Sequence, residues 1–102
     1  MWIQRTLGAE TEETQQFRLL PGCIKTIGRA PGADFVIDAS LVSRVHCRLT
    51  VFADGAVEVE DLESTNGTWL NGERINRAPL VEGAILKVGR VELVLERSSP
   101  GS

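Results

Sequence analysis

The amino-acid sequence predicts an all-β domain. Glycine and proline recur along the 102-residue chain at intervals of a few residues, which suits many short strands between turns. Apolar and polar side chains alternate through residues 57–60, and turn-forming pairs separate apolar segments elsewhere. With 42% apolar and 5% aromatic residues, the chain has enough material for one domain with a single modest core.

The first two strands are expected to begin near Trp2 and Phe17. The acidic run at residues 10–14 between them is interpreted as a solvated loop or a frayed helix. Residues 48–52 and 57–60 flank an Ala-Asp-Gly turn, which predicts a β-hairpin. Two further hairpins are indicated by Asn71-Gly72 and Gly89-Arg90, because glycine and asparagine tolerate the positive φ angles of tight turns.

The segment at residues 33–54 is ambiguous because it contains no glycine or proline. Four of its apolar residues fall at helical spacing: Leu41, Val45, Leu49 and Phe52. The segment is also rich in β-branched residues, and the apolar residues 47, 49 and 51 alternate with polar ones. We favour strands here, although periodicity alone leaves a helix open.

Composition narrows the function classes. Eleven Lys and Arg against 14 Asp and Glu give a net charge of −3, which argues against broad attraction to nucleic acid. Cys23, Cys47 and His46 are one ligand short of a structural zinc site, so no metal is expected. Both cysteines lie in apolar stretches, which favours buried free thiols over a disulfide and indicates a reducing compartment.

No signal peptide is visible, and no apolar stretch is long enough to span a membrane. We therefore expect a cytoplasmic domain, or a nuclear one in a eukaryote, with no membrane partner. Residues 98–102 are expected to be a flexible tail, a linker or a cloning remnant, which leaves residues 1–97 for the folded domain.

Polar residues concentrate in three segments, at 28–32, 43–46 and 64–68. These segments contain two guanidinium groups, two hydroxyls and one amide that can both donate and accept, from Arg29, Arg44, Ser43, Thr65 and Asn66. Such donors suit a phosphate oxyanion, since charge-assisted hydrogen bonds are the strong ones. From residue types alone this is a candidate anion site, and an ordinary set of polar loops is the alternative.

Three motifs occur in a characteristic order: Gly28-Arg29, Ser43-x-x-His46, and Asp-Leu-Glu-Ser-Thr-Asn-Gly-Thr-Trp-Leu-Asn-Gly at residues 61–72. Together with Pro-x-x-Asp-Phe-x-Ile at residues 31–37, they closely resemble the signature of the forkhead-associated (FHA) domain. The resemblance covers roughly residues 17–95. It implies an 11-stranded FHA-type β-sandwich of two twisted, mostly antiparallel sheets, with binding loops at one end.

The resemblance also implies roles for the polar side chains. Arg29, in the loop after the third strand, and Ser43, in the next loop, match residues that contact the phosphate of a phosphothreonine. Arg44 and Thr65 match positions that add further phosphate contacts. Asn66 matches the asparagine that holds the main chain of the bound peptide.

Three other residues match positions that support the binding loops. Gly28 and Gly67 match glycines that permit close approach or a turn, and His46 matches a histidine that braces the loops by hydrogen bonding. After the last motif, Trp69 and Leu70 are expected to re-enter the core.

The expected function is a non-catalytic phosphopeptide-recognition module that needs no cofactor and binds phosphothreonine-containing segments of partner proteins. A Ser/Thr kinase would act upstream. The apolar Leu41, where some family members have a charged residue, argues against a preference for acidic partner residues. Phosphorylation of Thr11 or Thr14, followed by binding to the same site, is a further hypothesis.

Two alternatives belong to other classes. The sandwich surface could bind a partner without phosphate, as a scaffold domain. A hydrolytic triad of Ser43, His46 and Asp61 is disfavoured because the sequence has no Gly-x-Ser-x-Gly elbow.

Overall fold

Eleven strands build the protein, as seen in a computed structural model that describes residues 1–7 and 15–97. They are β1 (Trp2–Leu7), β2 (Gln16–Leu19), β3 (Ile24–Gly28), β4 (Phe35–Val36), β5 (Cys47–Val51), β6 (Val57–Asp61), β7 (Thr68–Leu70), β8 (Glu73–Ile75), β9 (Arg77–Leu80), β10 (Ile85–Val88) and β11 (Val91–Arg97). The acidic run with Thr11 and Thr14, and the tail at 98–102, lie outside the described residues.

The strands form two sheets. One has six strands in the order β2-β1-β11-β10-β7-β8, and the other has five in the order β4-β3-β5-β6-β9. All strand pairs are antiparallel except β3 with β4. The predicted all-β sandwich of 11 strands in two mostly antiparallel sheets is therefore confirmed.

A single hydrophobic core lies between the sheets. Inward-facing residues of both sheets belong to it, including Leu49 and Val59 from one sheet and Leu86 and Leu93 from the other, all fully buried. Burying a side chain of this size stabilises the fold by about 1.5–3 kcal/mol relative to its exposed state. The alternation of inward and outward residues therefore determines which face of each strand packs.

The ambiguous segment contains strands β4 and β5 and no helix. Leu41, Val45 and Phe52, which fall at helical spacing, are exposed. The alternating residues of β5 are buried instead, because β5 is hydrogen-bonded on both sides, to β3 and to β6, and one of its faces packs on the core. The expectation of strands was correct.

The three predicted hairpins form at their predicted turns. Strand β5 pairs with β6, β7 with β8, and β10 with β11. In the β7–β8 turn Asn71 has φ 49° and Gly72 has φ 88°, the left-handed values that this residue pair tolerates.

Two predictions about single side chains need correction. Trp69 does not re-enter the core: it lies between Thr68 and the core-packed Leu70, so alternation along β7 directs it to the other face of the sheet. Cys23 is only half-buried, whereas Cys47 is fully buried. Both thiols are free.

The strand register gathers several loops at one end of the sandwich. Cys47, at the start of β5, pairs with Ile27 near the end of β3 and with Asp61 at the end of β6. The β3–β4, β4–β5 and β6–β7 loops therefore leave the five-stranded sheet at the same end. In the other sheet, Val88 pairs with Thr68, which places the β10–β11 turn beside the start of β7.

The described ranges contain neither a membrane-spanning helix nor a cluster of metal ligands. No helix there is long and apolar enough to cross a membrane. Residues 1–7 and 15–97 also contain no group of three or more His, Cys, Asp or Glu side chains that could hold a metal ion.

Candidate functional site

The gathered loops line an open groove of about 600 Å³. The five predicted binding residues all contribute to its wall: Arg29, Ser43, Arg44, Thr65 and Asn66. They come from three different loops and are up to 37 positions apart in sequence (66 − 29). The fold thus brings together every side chain that the sequence singled out for anion binding.

Arg29 is held by the neighbouring β4–β5 loop. Its backbone N–H donates to the carbonyl of Ser43 at 2.9 Å, and its side-chain Nε donates to the carbonyl of Val42 at 3.1 Å. A guanidinium has five N–H donors, so the two terminal NH₂ groups keep four for a ligand. Gly28 allows this close approach, since a Cβ there would overlap the carbonyl oxygen of Arg44.

Ser43 joins the β4–β5 loop to the β6–β7 loop. Its Oγ accepts the backbone N–H of Thr65 at 3.0 Å, which leaves the hydroxyl hydrogen of Ser43 free to be donated elsewhere. The Thr65 side chain is exposed at the groove. Two hydroxyl groups and the Arg29 guanidinium therefore share one surface.

His46 lies beneath the groove and is fully buried. Its Nδ1 accepts the backbone N–H of Ser43 at 3.0 Å, and its Nε2 lies 2.8 Å from the carbonyl oxygen of Gly67. Because an N–H faces Nδ1 and a carbonyl faces Nε2, the neutral ring with its proton on Nε2 satisfies both partners. The ring meets Ser43 through its main chain rather than its hydroxyl, which is not the geometry of a hydrolytic triad.

Asn66 is oriented from two sides. Its Nδ2 donates to the carbonyl of Leu41 at 3.0 Å, and its own backbone carbonyl accepts the Nε1–H of Trp69 at 3.2 Å. The side-chain oxygen and one N–H of the amide are left for a ligand. The contact with Trp69 was not foreseen from the sequence, which placed that side chain in the core.

Asp61 holds the base of the β6–β7 loop. Its Oδ1 accepts the hydroxyls of Ser64 at 2.5 Å and Thr68 at 2.7 Å, and its Oδ2 accepts the Ser64 N–H at 3.3 Å. Burial by itself would raise the pKa of the Asp61 carboxyl, but these hydrogen bonds outweigh it and lower the pKa. The carboxylate form is therefore favoured. The sequence motifs had assigned Asp61 no role in the site.

The groove is lined by two basic residues and also by an acidic residue and apolar residues. Arg29 and Arg44 are both exposed, and with Pro31 they also line a smaller adjoining depression of about 220 Å³. Asp38 and Leu41 are among the other residues that line the main groove. The cationic part, with its hydroxyl donors, is suited to a tetrahedral oxyanion such as phosphate.

Comparison with known proteins gives a consistent result. The FHA domain family model matches residues 25–89. The ABC transporter ATP-binding/permease protein Rv1747 of Mycobacterium tuberculosis is 42% identical over 76 residues, which are 74% of this chain and 9% of the transporter. The chain spans about half or less of the curated relatives it matches.

Solved structures agree in fold. The FHA domain of the CT664 protein from Chlamydia trachomatis is 25% identical, with a TM-score of 0.88 over 96% of this chain and 98% of that one. A structure from work on phosphothreonine-dependent FHA domain interactions is 26% identical, with a TM-score of 0.79 over 97% of this chain and 99% of that one.

Proposed function

The chain belongs to the FHA domain family, and on that premise we propose that its groove binds phosphothreonine-containing segments of partner proteins. The observation that carries the proposal is the convergence of two arginines, two hydroxyl residues and one asparagine on one groove. Phosphothreonine-dependent interactions of a structurally similar FHA domain support it.

The phosphate is held mainly by electrostatic hydrogen bonds. The terminal NH₂ groups of Arg29 and the hydroxyl of Ser43 donate to the phosphate oxygens, and Arg44 and Thr65 add a second cation and hydroxyl. Charge-assisted hydrogen bonds contribute about 1.5–3 kcal/mol each, so two or three suffice for useful affinity. The second pKa of the phosphate is about 6, so the phosphate is a dianion above that pH. It binds more weakly at lower pH because it then carries one negative charge less.

The peptide main chain is held by Asn66. With Nδ2 donated to Leu41, the Asn66 side-chain oxygen accepts an N–H of the peptide and fixes its direction. The exposed Leu41 side chain and the Asp38 carboxylate in the same groove disfavour an acidic residue at the peptide positions that face them.

The domain spans residues 1–97 and is non-catalytic. It acts downstream of a Ser/Thr kinase, in the cytoplasm or, in a eukaryote, in the nucleus. Strands β1 and β11, which extend beyond the matched residues 25–89, pair with each other and support these limits. The free thiols of Cys23 and Cys47 agree with a reducing compartment.

A fluorescence titration with the phosphothreonine, phosphoserine and unmodified forms of one peptide tests the proposal. We expect the phosphothreonine peptide to bind best and the unmodified peptide to show no binding. The threonine methyl alone, at about 0.8 kcal/mol, accounts for a preference over phosphoserine of about fourfold. Equal affinity for all three peptides would contradict the proposal.

Substitution of Arg29→Ala separates this function from a phosphate-independent scaffold. We expect an affinity loss of about tenfold or more, from the loss of charge-assisted hydrogen bonds. Arg48→Ala is the matched control, because Arg48 pairs with Glu60 on the outer face of the five-stranded sheet. A scaffold domain would keep its partner in both variants.

A further inference from the structure

Leu41 has an unusual backbone conformation for its residue type. Its φ is 71°, in the left-handed region that a branched side chain rarely adopts. Such a conformation is strained and persists only where surrounding contacts hold it. The side chain is 45% exposed, so burial of the Leu41 side chain is not what compensates this strain.

Residues from two other loops lie close to the Leu41 peptide group. Its carbonyl oxygen accepts the Nδ2–H of Asn66 at 3.0 Å. On another side, the β10–β11 turn approaches so closely that a Cβ built on Gly89 would lie 2.9 Å from the Leu41 carbonyl carbon and 3.1 Å from its oxygen. The same Cβ would lie 3.1 Å from Cγ2 of the buried Val42.

Gly89 therefore differs from most of the other turn glycines; a Cβ on Gly67 would also meet close atoms, but those belong to the Arg74 side chain rather than to the main chain. Several glycines have positive φ, but around Gly22, Gly55, Gly72 and Gly83 there is open space where a Cβ would go. At Gly89 the absence of a side chain serves the turn and also makes room for the Leu41 peptide group. Both neighbours are held there: the Leu41 carbonyl accepts from Asn66, and the buried Val42 accepts from the Arg29 side chain at its carbonyl.

We infer that Gly89 is a positioning residue of the peptide groove, which seats the Leu41 carbonyl against the side-chain amide of Asn66. The inference rests on the proposed function, since Asn66 is the residue that holds the peptide main chain. A Cβ at position 89 displaces the Leu41 carbonyl and releases the amide that it orients. The β10–β11 turn thus acts on peptide binding through Leu41 and Asn66.

The test compares Gly89→Ala with Gly83→Ala. Gly83 has φ 84° and stands in the turn between β9 and β10 with no atom within 4 Å of its Cβ position, so both variants carry left-handed backbone strain but only one carries the contact. We expect Gly89→Ala to weaken phosphothreonine-peptide binding by about two- to tenfold, the loss of one hydrogen bond. Gly83→Ala should bind as the wild type does.

A double-mutant cycle distinguishes positioning from general damage. If Gly89 acts through Asn66, Gly89→Ala has no further effect on affinity in an Asn66→Ala background. Multiplication of the two losses would overturn the inference, as would equal affinity of the Gly89→Ala and Gly83→Ala variants. If Gly89→Ala fails to fold, Gly89→Asn retains the Cβ while tolerating the left-handed backbone.

A measurement without peptide keeps this inference separate from the proposed function. We expect the side-chain NH₂ resonances of Asn66 in the free protein to shift in Gly89→Ala and to stay in place in Gly83→Ala. Unchanged resonances in both variants would contradict the inference whatever the peptide does. If the wild type binds no phosphopeptide, the proposed function fails and the resonances still decide the role of Gly89.

Discussion

The two ring nitrogens of His46 point in different directions in the plane of the ring, and each contacts a different binding loop. Nδ1 accepts an N–H from the β4–β5 loop, and Nε2 meets a carbonyl of the β6–β7 loop. The main chain of His46 adds a bond on each side, since its N–H donates to Ile27 and its carbonyl accepts from Leu62. One buried residue therefore couples the loops of Ser43 and Asn66 to the sheet.

We predict that His46→Ala lowers both stability and phosphopeptide affinity. The change removes buried side-chain volume and leaves the partly buried N–H of Ser43 and the buried carbonyl of Gly67 without their partner, which costs about 2–4 kcal/mol of unfolding free energy. Urea unfolding measures the first effect and a phosphopeptide titration the second.

Val59→Ala is the control for this prediction. Val59 is fully buried in β6 away from the groove, and its truncation should cost about 2–3 kcal/mol while the folded protein binds peptide normally. Normal peptide affinity in folded His46→Ala would show that the histidine only fills space.

Among the loops, the β6–β7 connection depends on the carboxylate of Asp61. This carboxylate accepts three hydrogen bonds from Ser64 and Thr68, so it ties the first and last parts of the loop to the end of β6. Between these points lie Thr65 and Asn66, whose backbone is thereby held in place. Sequence motifs identify the loop, but the carboxylate at its base is recognisable only once the three partners are close.

The lowered pKa of Asp61 predicts a pH dependence of stability. A carboxyl whose pKa is lower when folded stabilises the fold above its unfolded pKa, near ~4, and this contribution is lost as pH falls through the lower folded pKa. We expect the wild type to be more stable than Asp61→Asn at pH 7, and the difference to shrink below about pH 4. Urea unfolding from pH 7 to pH 3 measures it.

Asp54→Asn provides the comparison, because it makes the same chemical change in the β5–β6 turn at the other end of the sandwich. There the carboxylate accepts one N–H, from Ala56. If the difference in unfolding free energy between the wild type and Asp61→Asn stayed constant across this pH range, the role assigned to Asp61 would be contradicted.

For the molecule as a whole, the two sheets protect their shared core from solvent. Cys47 lies fully buried in β5, and burial, with a smaller contribution from the nearby Asp61, raises the pKa of its thiol to about 12. Only the thiolate reacts with alkylating reagents. Cys47 therefore reports opening of the whole sandwich, because β5 is paired on both sides.

We predict that at pH 8 Cys47 in the native protein is alkylated at least about a hundredfold more slowly than in urea. In a Cys23→Ser background, which removes the half-buried second thiol, mass spectrometry follows Cys47 alone. Phosphothreonine peptide at a hundred times its Kd should slow the reaction by about another hundredfold, since it binds only the folded state. Equal rates in buffer and urea would contradict the prediction.

Much of the strand arrangement could be predicted from the sequence because its signals are local. A turn pair such as Asn71-Gly72 sets its own backbone angles, and alternation in residues 57–60 is a property of neighbouring positions. Segment 33–54 could not be decided in this way, because apolar residues at helical spacing and in alternation coexist there. Pairing of β5 with two neighbours selected the strand.

The candidate site, too, could be predicted only in part from the sequence. Motifs identify Arg29, Ser43 and Asn66 by residue type and order, since a phosphate needs such donors whatever holds them. Motifs do not specify that Arg29 Nε bonds Val42 or that Trp69 bonds the Asn66 carbonyl.

By itself, then, the sequence determined the strand-rich fold, the family resemblance and the chemistry available to the loops. The tertiary structure alone decided how the loops touch. The close approach of Gly89 to Leu41 brings together positions that are 48 residues apart (89 − 41). It involves main-chain atoms, which every residue possesses. No pattern of side chains encodes such a contact, because it exists only when two sheets have packed and brought their ends together.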